Sequence, residues 1–424
     1  MANVTPEVRL PWWKEPTKDQ WYAWVAAWLG WTLDAFDFTV FLLIIKPIAD
    51  YFHVSIPAVA FVFTITLWAR LLGATASGWL GDRIGRKAPL MISILGYSVC
   101  NFAAGLAPSF MFLFVARALL GIFMGAEWPA GAALAMESWP ARSRGFMSGV
   151  LQGSWGIGFL ISYAIYGLFF NAIGWRGMLL VGVIPALSVV YVRFFVKEPE
   201  VWVENRKLQR TQQREVKAPL ISIFKKGQIG NTLTACWMMA SAFVCYYSIN
   251  VLFVTHLQVD LKLKPGAIGE VGVAANLVAF LASSCWGFVA DKIGRRWAMI
   301  LPGILAALLP PMYLLTDNFT LIWWGFVLQG LAGSGGMHGQ YPTYLAERFP
   351  TEVRATASGF CYHQGAIWGG LVAPVLAYAA TTYNLGYAIP MLIGTSVAAV
   401  SFVLAILFGP ETKGKELVAD LVIA

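Results

Sequence analysis

The chain reads as an all-α membrane protein: twelve transmembrane helices in two pseudo-symmetric six-helix bundles. Three observations predict this. Only 12% of its 424 residues are charged and 58% are hydrophobic, about half the charged share of a soluble domain. Apolar runs of about 20 to 25 residues, enough to cross a hydrocarbon core of about 30 Å, recur along the whole chain. Finally, the charged motifs between these runs are written twice.

The first span (21–45) contains "GWTLDAFDF", Gly30 to Phe38, with two carboxylates, Asp34 and Asp37. Each charge near mid-membrane costs roughly 2.5 to 3.5 kcal/mol, so both need a use or a partner. The second span (57–80) holds Arg70 and ends near Gly78, and the third covers 88–107. The fourth (110–134) carries "RALLGIFMGAEWPAG", with Arg117 and Glu127. The fifth (145–170) offers Gln152, Trp155 and Tyr163 as cavity lining, and the sixth (176–196) completes the first bundle. The longest polar segment, Lys197 to Gly227, divides the spans equally. The seventh span (229–256) contains "YYSINVLFVTHLQ", and the eighth (267–290) and ninth (297–315) follow. The tenth (319–342) ends near His338, which reads as structural. The eleventh (354–380) has "CYHQGAIW", and the twelfth (386–408) closes the set. The organisation is a cytoplasmic segment 1–20, a bundle 21–196, a cytoplasmic loop 197–228, a second bundle 229–408 and a cytoplasmic tail 409–424.

Lys and Arg cluster in alternate connections: Arg83, Arg86 and Lys87; Arg142 and Arg144; Arg206 to Lys226; Lys292, Arg295 and Arg296; Arg348 and Arg354. The positive-inside rule turns these connections, and both termini, toward the cytoplasm. The opposite connections carry only Lys46, Arg176, Lys262 and Lys264. The net charge of +8 is thus a topology signal and not a nucleic-acid footprint. The N-terminus lacks the apolar core and cleavage site of a signal peptide. Five cysteines lie singly within spans without metal-ligand spacing.

"GWLGDRIGRK" (Gly78 to Lys87) recurs as "GFVADKIGRR" (Gly287 to Arg296), and "ESWPARSRGFMSG" (Glu137 to Gly149) as "ERFPTEVRATASG" (Glu347 to Gly359). "EPE" at Glu198 to Glu200 is echoed by "PETKG" at Pro410 to Gly414. Gly78 and Gly287 let a neighbouring helix approach closely. Asp82 and Asp291 can face the positive start of a helix beginning near Arg144 or Arg354. Arg86, Glu137, Arg144 and Glu200, with Arg295, Glu347, Arg354 and Glu411, complete a network of opposite charges. A solvated topogenic loop would explain the basic residues but not the duplicated acids.

These motifs resemble the major facilitator superfamily over essentially the whole chain. "LDAFDF", Arg70 and "RALLGIFMGAEWPAG" are similar to the sialate:proton symporter family, which includes lactate and pyruvate permeases. Aromatic-acid:proton symporters are near neighbours. The resemblance implies that the duplicated network latches the halves on the cytoplasmic side. It also implies a proton-coupling pair of a span-one Asp and the span-four Arg, placed here on Asp37 and Arg117.

At roughly 1.5 Å per residue, Asp37 lies about 24 Å and Arg117 about 26 Å above the cytoplasmic ends of their helices, so they can pair. Burial disfavours the charged carboxylate while a cation favours it, so water or a competing substrate anion could tip the proton on or off. A purely structural pair is the alternative. Asp37 is expected to be the main proton carrier and Asp34 a secondary one able to hold Arg70, with Arg117 and Glu127 completing the proton-coupling set. Arg70 and Arg117 are expected to meet a substrate carboxylate, with Trp155, Tyr247, Asn250, His256, Tyr362, His363 and Gln364 completing the site.

The expected function is proton-coupled uptake of a small organic anion, a monocarboxylate such as lactate or pyruvate first, with sialate or an aromatic acid as alternatives. A sugar carrier is the further alternative, weakened by two buried arginines that suit carboxylates better than hydroxyls. A drug antiporter is disfavoured by the fifth-span sequence. No nucleophile-base or metal-ligand constellation stands out, so no enzyme, metal or cofactor is expected. The expected partners are the anion, protons and the bilayer of a bacterial inner membrane, with the monomer functional.

Overall fold

A computed structural model describes residues 11–216, 219–253, 256–263 and 265–419. The first ten residues, Lys217 and Lys264 lie outside the described residues, as do the side chains of Lys46, Tyr163 and Gln258. The crossing helices are α1 (Lys18–Leu43), α2 (Ile56–Ile84), α3 (Lys87–Gly105), α4 (Phe110–Ser138), α5 (Arg144–Val181) and α6 (Ala186–Phe195). In the second half they are α7 (Ile229–Asn250), α8 (Pro265–Ile293), α9 (Arg295–Leu308, continued by Pro310–Leu314), α10 (Phe319–Gln329, with Tyr341–Arg348 after a π segment), α11 (Arg354–Thr382) and α12 (Ala388–Leu407). Hydrogen bonding carries α5 past the end of the fifth crossing, but Gly174 breaks it with a φ of 61° where the sixth begins. The tenth crossing is divided by the π segment Gly330–Gly336, "GLAGSGG", whose glycines cannot hold a regular helix.

Among the described residues, ten helices are long and apolar enough to cross a membrane. Large apolar side chains such as Leu72, Leu168, Leu308 and Val397 are exposed, as a lipid-facing surface requires. The largest apolar cluster joins the halves, bringing Trp128, Met136 and Leu151 together with Met239, Tyr341 and Tyr362. The halves touch along two matching seams, α2 on α11 and α5 on α8.

The face that carries the duplicated motifs, here the basic face, also receives the start of α1 and the described part of the tail. Asp19, at the start of α1, pairs with Lys197. The tail crosses from the second half to the first: Lys415 O accepts from Arg144 at 3.0 Å and Ala419 O from Asn205 at 3.1 Å.

Three helices that start on the opposite face cap themselves, Ser55, Ser109 and Asn318 serving α2, α4 and α10. On the basic face α3, α5, α7, α9 and α11 have no N-cap side-chain bond of their own. Glu198 takes the N–H groups of Arg86 and Lys87 at 2.7 and 2.9 Å, and Glu411 those of Arg295 and Arg296 at 2.9 and 3.1 Å. The turns that allow this need glycine. Gly85 and Gly294 have φ of 109° and 102°, and a Cβ at either would fall within 2.6 Å of the capping carboxylate. We predict that Gly85→Ala and Gly294→Ala each lower the thermal unfolding midpoint of the detergent-purified protein, because overpacking costs about 1 to 3 kcal/mol and the backbone is strained besides. Gly81→Ala, whose Cβ would meet only ordinary contacts at 3.5 Å or more, should leave it unchanged or raise it. Equal midpoints for all three would show that these turns do not carry the caps.

Candidate functional site

The basic face is sealed by carboxylates that cross from one half to the other. Asp82, near the end of α2, accepts from the N–H groups of Ala355 and Thr356 at 3.1 and 2.9 Å and from the Thr356 hydroxyl at 2.7 Å. Asp291, at the matching place on α8, accepts from Gly145 and Phe146 at 3.0 and 2.8 Å. Each Asp therefore caps a helix of the other half, where helix dipole and orphan N–H groups both favour an anion. Gly78 and Gly287 let the backbones meet: a Cβ at either would lie 2.5 Å from backbone of the opposite half.

Arginines tie the same points together. Arg86 pairs with Asp82 at 2.9 Å and Glu137 at 2.8 Å, and Arg354 reaches Glu137 from the second half at 2.7 Å. In the mirror copy Arg295 pairs with Asp291 at 2.6 Å and Glu347 at 3.2 Å, and Arg144 reaches Glu347 at 3.3 Å. Gly78, Asp82, Arg86, Glu137, Arg144, Asp291, Arg295, Glu347 and Arg354, all expected at this contact, lie in it. Glu200 does not; it is exposed, and its place opposite Glu411 is taken by Glu198, two residues earlier.

Above the seal lies a cavity of about 840 Å³, counted with its mouth, between the halves. Its floor is the stack of Trp128 from α4 on Tyr362 from α11, with centroids 4.0 Å apart and planes 18° apart. Away from the basic face the seams loosen: a Cβ at Gly149 would lie 2.1 Å from Ser283 O, but one at Gly156 would lie 3.7 Å from its nearest neighbour. The first half lines the cavity with Trp31, Arg70, Gln152 and Trp155. The second supplies aromatic Phe243, Tyr246, Tyr247, Phe280 and Tyr362, with Asn276, Ser334, His338 and His363 as polar groups.

Arg70 is the cation at this wall. Its Nη2 donates to both oxygens of Asp34 at 2.6 and 2.7 Å, so Asp34 occupies one nitrogen and Nε has no partner. His363 bonds Gly359 O through Nδ1 at 3.1 Å and leaves Nε2 unpartnered. The expected Arg70–Asp34 contact is present, and Trp155, Tyr247, Tyr362 and His363 line the cavity with Arg70.

The other expected residues are elsewhere. Arg117 makes no direct ion pair with Asp37: it donates to Asn101 Oδ1 at 3.1 Å and covers the Phe41 ring at 4.3 Å. Asn101 lies beside both, its Nδ2 near Asp37 but without a hydrogen-bond partner. Matching depth set their heights but not the side chain of α3 beside them. Asn250 bonds Tyr246 O one turn back, and His256 Nδ1 meets Asp260 at 2.8 Å. Gln364 turns into the α7–α11 contact, donating to Cys236 O at 2.7 Å. His338, read as structural, reaches the cavity because the π segment re-aims the chain before it. Trp31, Phe243, Asn276, Phe280 and Ser334 had not been expected at the wall. Asn276, a polar residue inside an apolar span, was the available signal.

The Major Facilitator Superfamily model matches residues 27–255 and 235–420, nearly the whole chain. The chain belongs to the major facilitator superfamily. This facilitator is 29% identical over 409 residues to the sialic acid transporter NanX of Escherichia coli K12, covering 95% of this chain and 97% of that one. It is 27% identical to the cis,cis-muconate transport protein of Acinetobacter baylyi, covering 86% and 88%, and 25% identical to the shikimate transporter of E. coli K12, covering 81% and 83%. The structure of the proton:xylose symporter XylE bound to 6-bromo-6-deoxy-D-glucose superposes with a TM-score of 0.73 at 19% identity, covering 94% and 98%, and so shares the fold.

Met136 is fully buried beneath the floor, where Thr343 of the second half reaches it at 3.0 Å. We predict that Asp82→Asn, on a cysteine-free background with Met136→Cys as reporter, raises maleimide labelling of that position several-fold. Labelling at the parent rate would remove the seal from the role given to Asp82.

Proposed function

We propose that the protein imports a small organic anion together with a proton by alternating access, and is not an enzyme. The basic face is then cytoplasmic by the positive-inside rule, with both termini inside a bacterial inner membrane. The sealed arrangement is the outward-facing one. Two bundles, 21–196 and 229–408, rock about the cavity as a functional monomer, joined by the segment 197–228.

The observation that carries this reading is the Arg70–Asp34 pair at the cavity wall. Empty, the pair is neutral. A substrate carboxylate that took Arg70 would strand Asp34 as a buried anion, which is costly. A proton on Asp34 removes that cost, and Arg70, anion and neutral Asp34 again sum to zero. Proton and substrate thus enter together or not at all. This gives Asp34 the coupling role first expected of Asp37, which lies behind the wall beside Asn101.

Lactate or pyruvate is the substrate expected from sequence. The aromatic lining favours a larger acid with a ring. Relatives named for sialic acid, muconate and shikimate support an organic acid. Thermal-shift screening against sialate, benzoate, shikimate, lactate, pyruvate and sugars tests the class. A ligand at one hundred times its Kd stabilises by about 2.7 kcal/mol, and a response to sugars alone would refute the anion.

For the acid so found, uptake into proteoliposomes should follow an imposed pH gradient and hardly respond to voltage. A neutral cargo would instead gain about 2.3 kcal/mol per 100 mV for each proton moved. Asp34→Asn should abolish uphill accumulation and retain exchange. If Asp37→Asn alone does so, coupling belongs to Asp37. Arg70→Lys should weaken binding at least tenfold, because an ammonium cannot reproduce the planar fork; unchanged affinity would remove Arg70 from the site.

A further inference from the structure

The first half buries a third carboxylate that the coupling scheme leaves unused. Glu127 on α4 is 1% exposed and has no cation within ion-pair distance among the described residues, and its Oε2 has no hydrogen-bond partner. It is packed against α1 at Gly30, where a Cβ would come within 2.5 Å of Glu127 Oε1. Gly30, Asp34 and Asp37 rise along α1 by four and three residues, about 6 and 4.5 Å. The three carboxylates therefore form a descending series, Asp37, Asp34, Glu127, about 10 Å from end to end.

Tyr97, fully buried on α3, likewise has a hydroxyl without a partner. A small chamber beside Glu127 is walled by Ala27, Trp31, Trp128 and Leu151. Trp31 lines both this chamber and the central cavity, so a single indole separates them. The chamber lies on the basic-face side of the Asp34–Arg70 pair.

We propose that Glu127 is a second proton-holding site, the lower end of a proton route Asp37–Asp34–Glu127 confined to the first half. This rests on the proton-coupled reading above. An ionised carboxylate without water or a counter-charge is expensive to bury, so Glu127 carries its proton while Asp34 is ionised against Arg70. When substrate takes Arg70 and Asp34 is protonated, both acids are neutral, and a proton leaving Glu127 can be replaced from Asp34 once the lower side opens. The transfer is between carboxyl groups, so one O–H bond breaks as another forms and the donor becomes the anion that Arg70 takes up again. The charged and titratable groups facing the series are Asp34 and Asp37 on α1, Arg70 on α2, Tyr97 and Cys100 on α3, and Arg117 on α4. Tyr362 and His363 face Arg70 from α11.

Infrared spectroscopy of the purified protein in lipid reads protonated carboxyls directly and needs no substrate. At neutral pH the wild type should show a buried protonated-carboxyl band that Glu127→Gln loses and Glu127→Asp retains at a displaced position. Superimposable spectra of wild type and Glu127→Gln would overturn the site. In proteoliposomes with sialate as probe, Glu127→Gln should slow acid-driven uptake at least about tenfold more than counterflow, and equal losses would overturn its place in the route. If the wild type shows the band but its transport ignores the pH gradient, the proton-coupled reading fails while Glu127 remains a proton site.

Discussion

Every helix leaves N–H groups without partners at its start, and on one face of this molecule α3, α5, α9 and α11 have no side chain of their own to fill them. Carboxylates from elsewhere do so. Glu198 and Glu411 serve α3 and α9, and Asp82 and Asp291 serve α11 and α5 across the molecular divide. Completing two of these helices and closing the basic face are therefore one event. The arginines that link Asp82, Glu137, Asp291 and Glu347 give each acid a counter-charge where water is excluded. The cavity exists because this contact is strong at one end of the seams and loose further along them.

The gate is symmetric and the interior is not. Asp34, Asp37, Arg70, Arg117 and Glu127 are all on α1, α2 and α4, while the second half meets the cavity with aromatic rings, amides, hydroxyls and imidazoles. A charge set within one rigid bundle keeps its internal distances when the bundles rock. Neutral groups on the other bundle can approach or leave the cargo without a large desolvation cost. In the proposed scheme one half handles charge and the other shapes the site around the rest of the substrate.

Much of this was legible in the chain. Spans follow from hydropathy, and the gate follows from acids and arginines at repeated spacing, because both are one-dimensional signals. What the sequence left open was direction around a helix. His363 and Gln364 are neighbours on α11, yet one faces the cavity and the other the α7 backbone. Depth placed Asp37 level with Arg117 but could not show Asn101 beside them. The π segment in α10 turns Ser334 and His338 inward, a re-aiming that no 3.6-residue periodicity describes. Glu198 and Glu200 flank one proline, and only the path of the turn decides which of them reaches α3.

The crossed capping also bears on how such a chain arose. Asp82 lies in the first copy of the repeat but caps the second copy's helix, and Asp291 does the reverse. An ancestor with a single six-helix unit would have carried both the acid and the helix start, yet could not have joined them within one molecule. It would have found the partner in another copy of itself, set parallel in the same membrane. Gene fusion would then have preserved a dimer contact already made, and freed the two interiors to diverge while their shared face stayed alike.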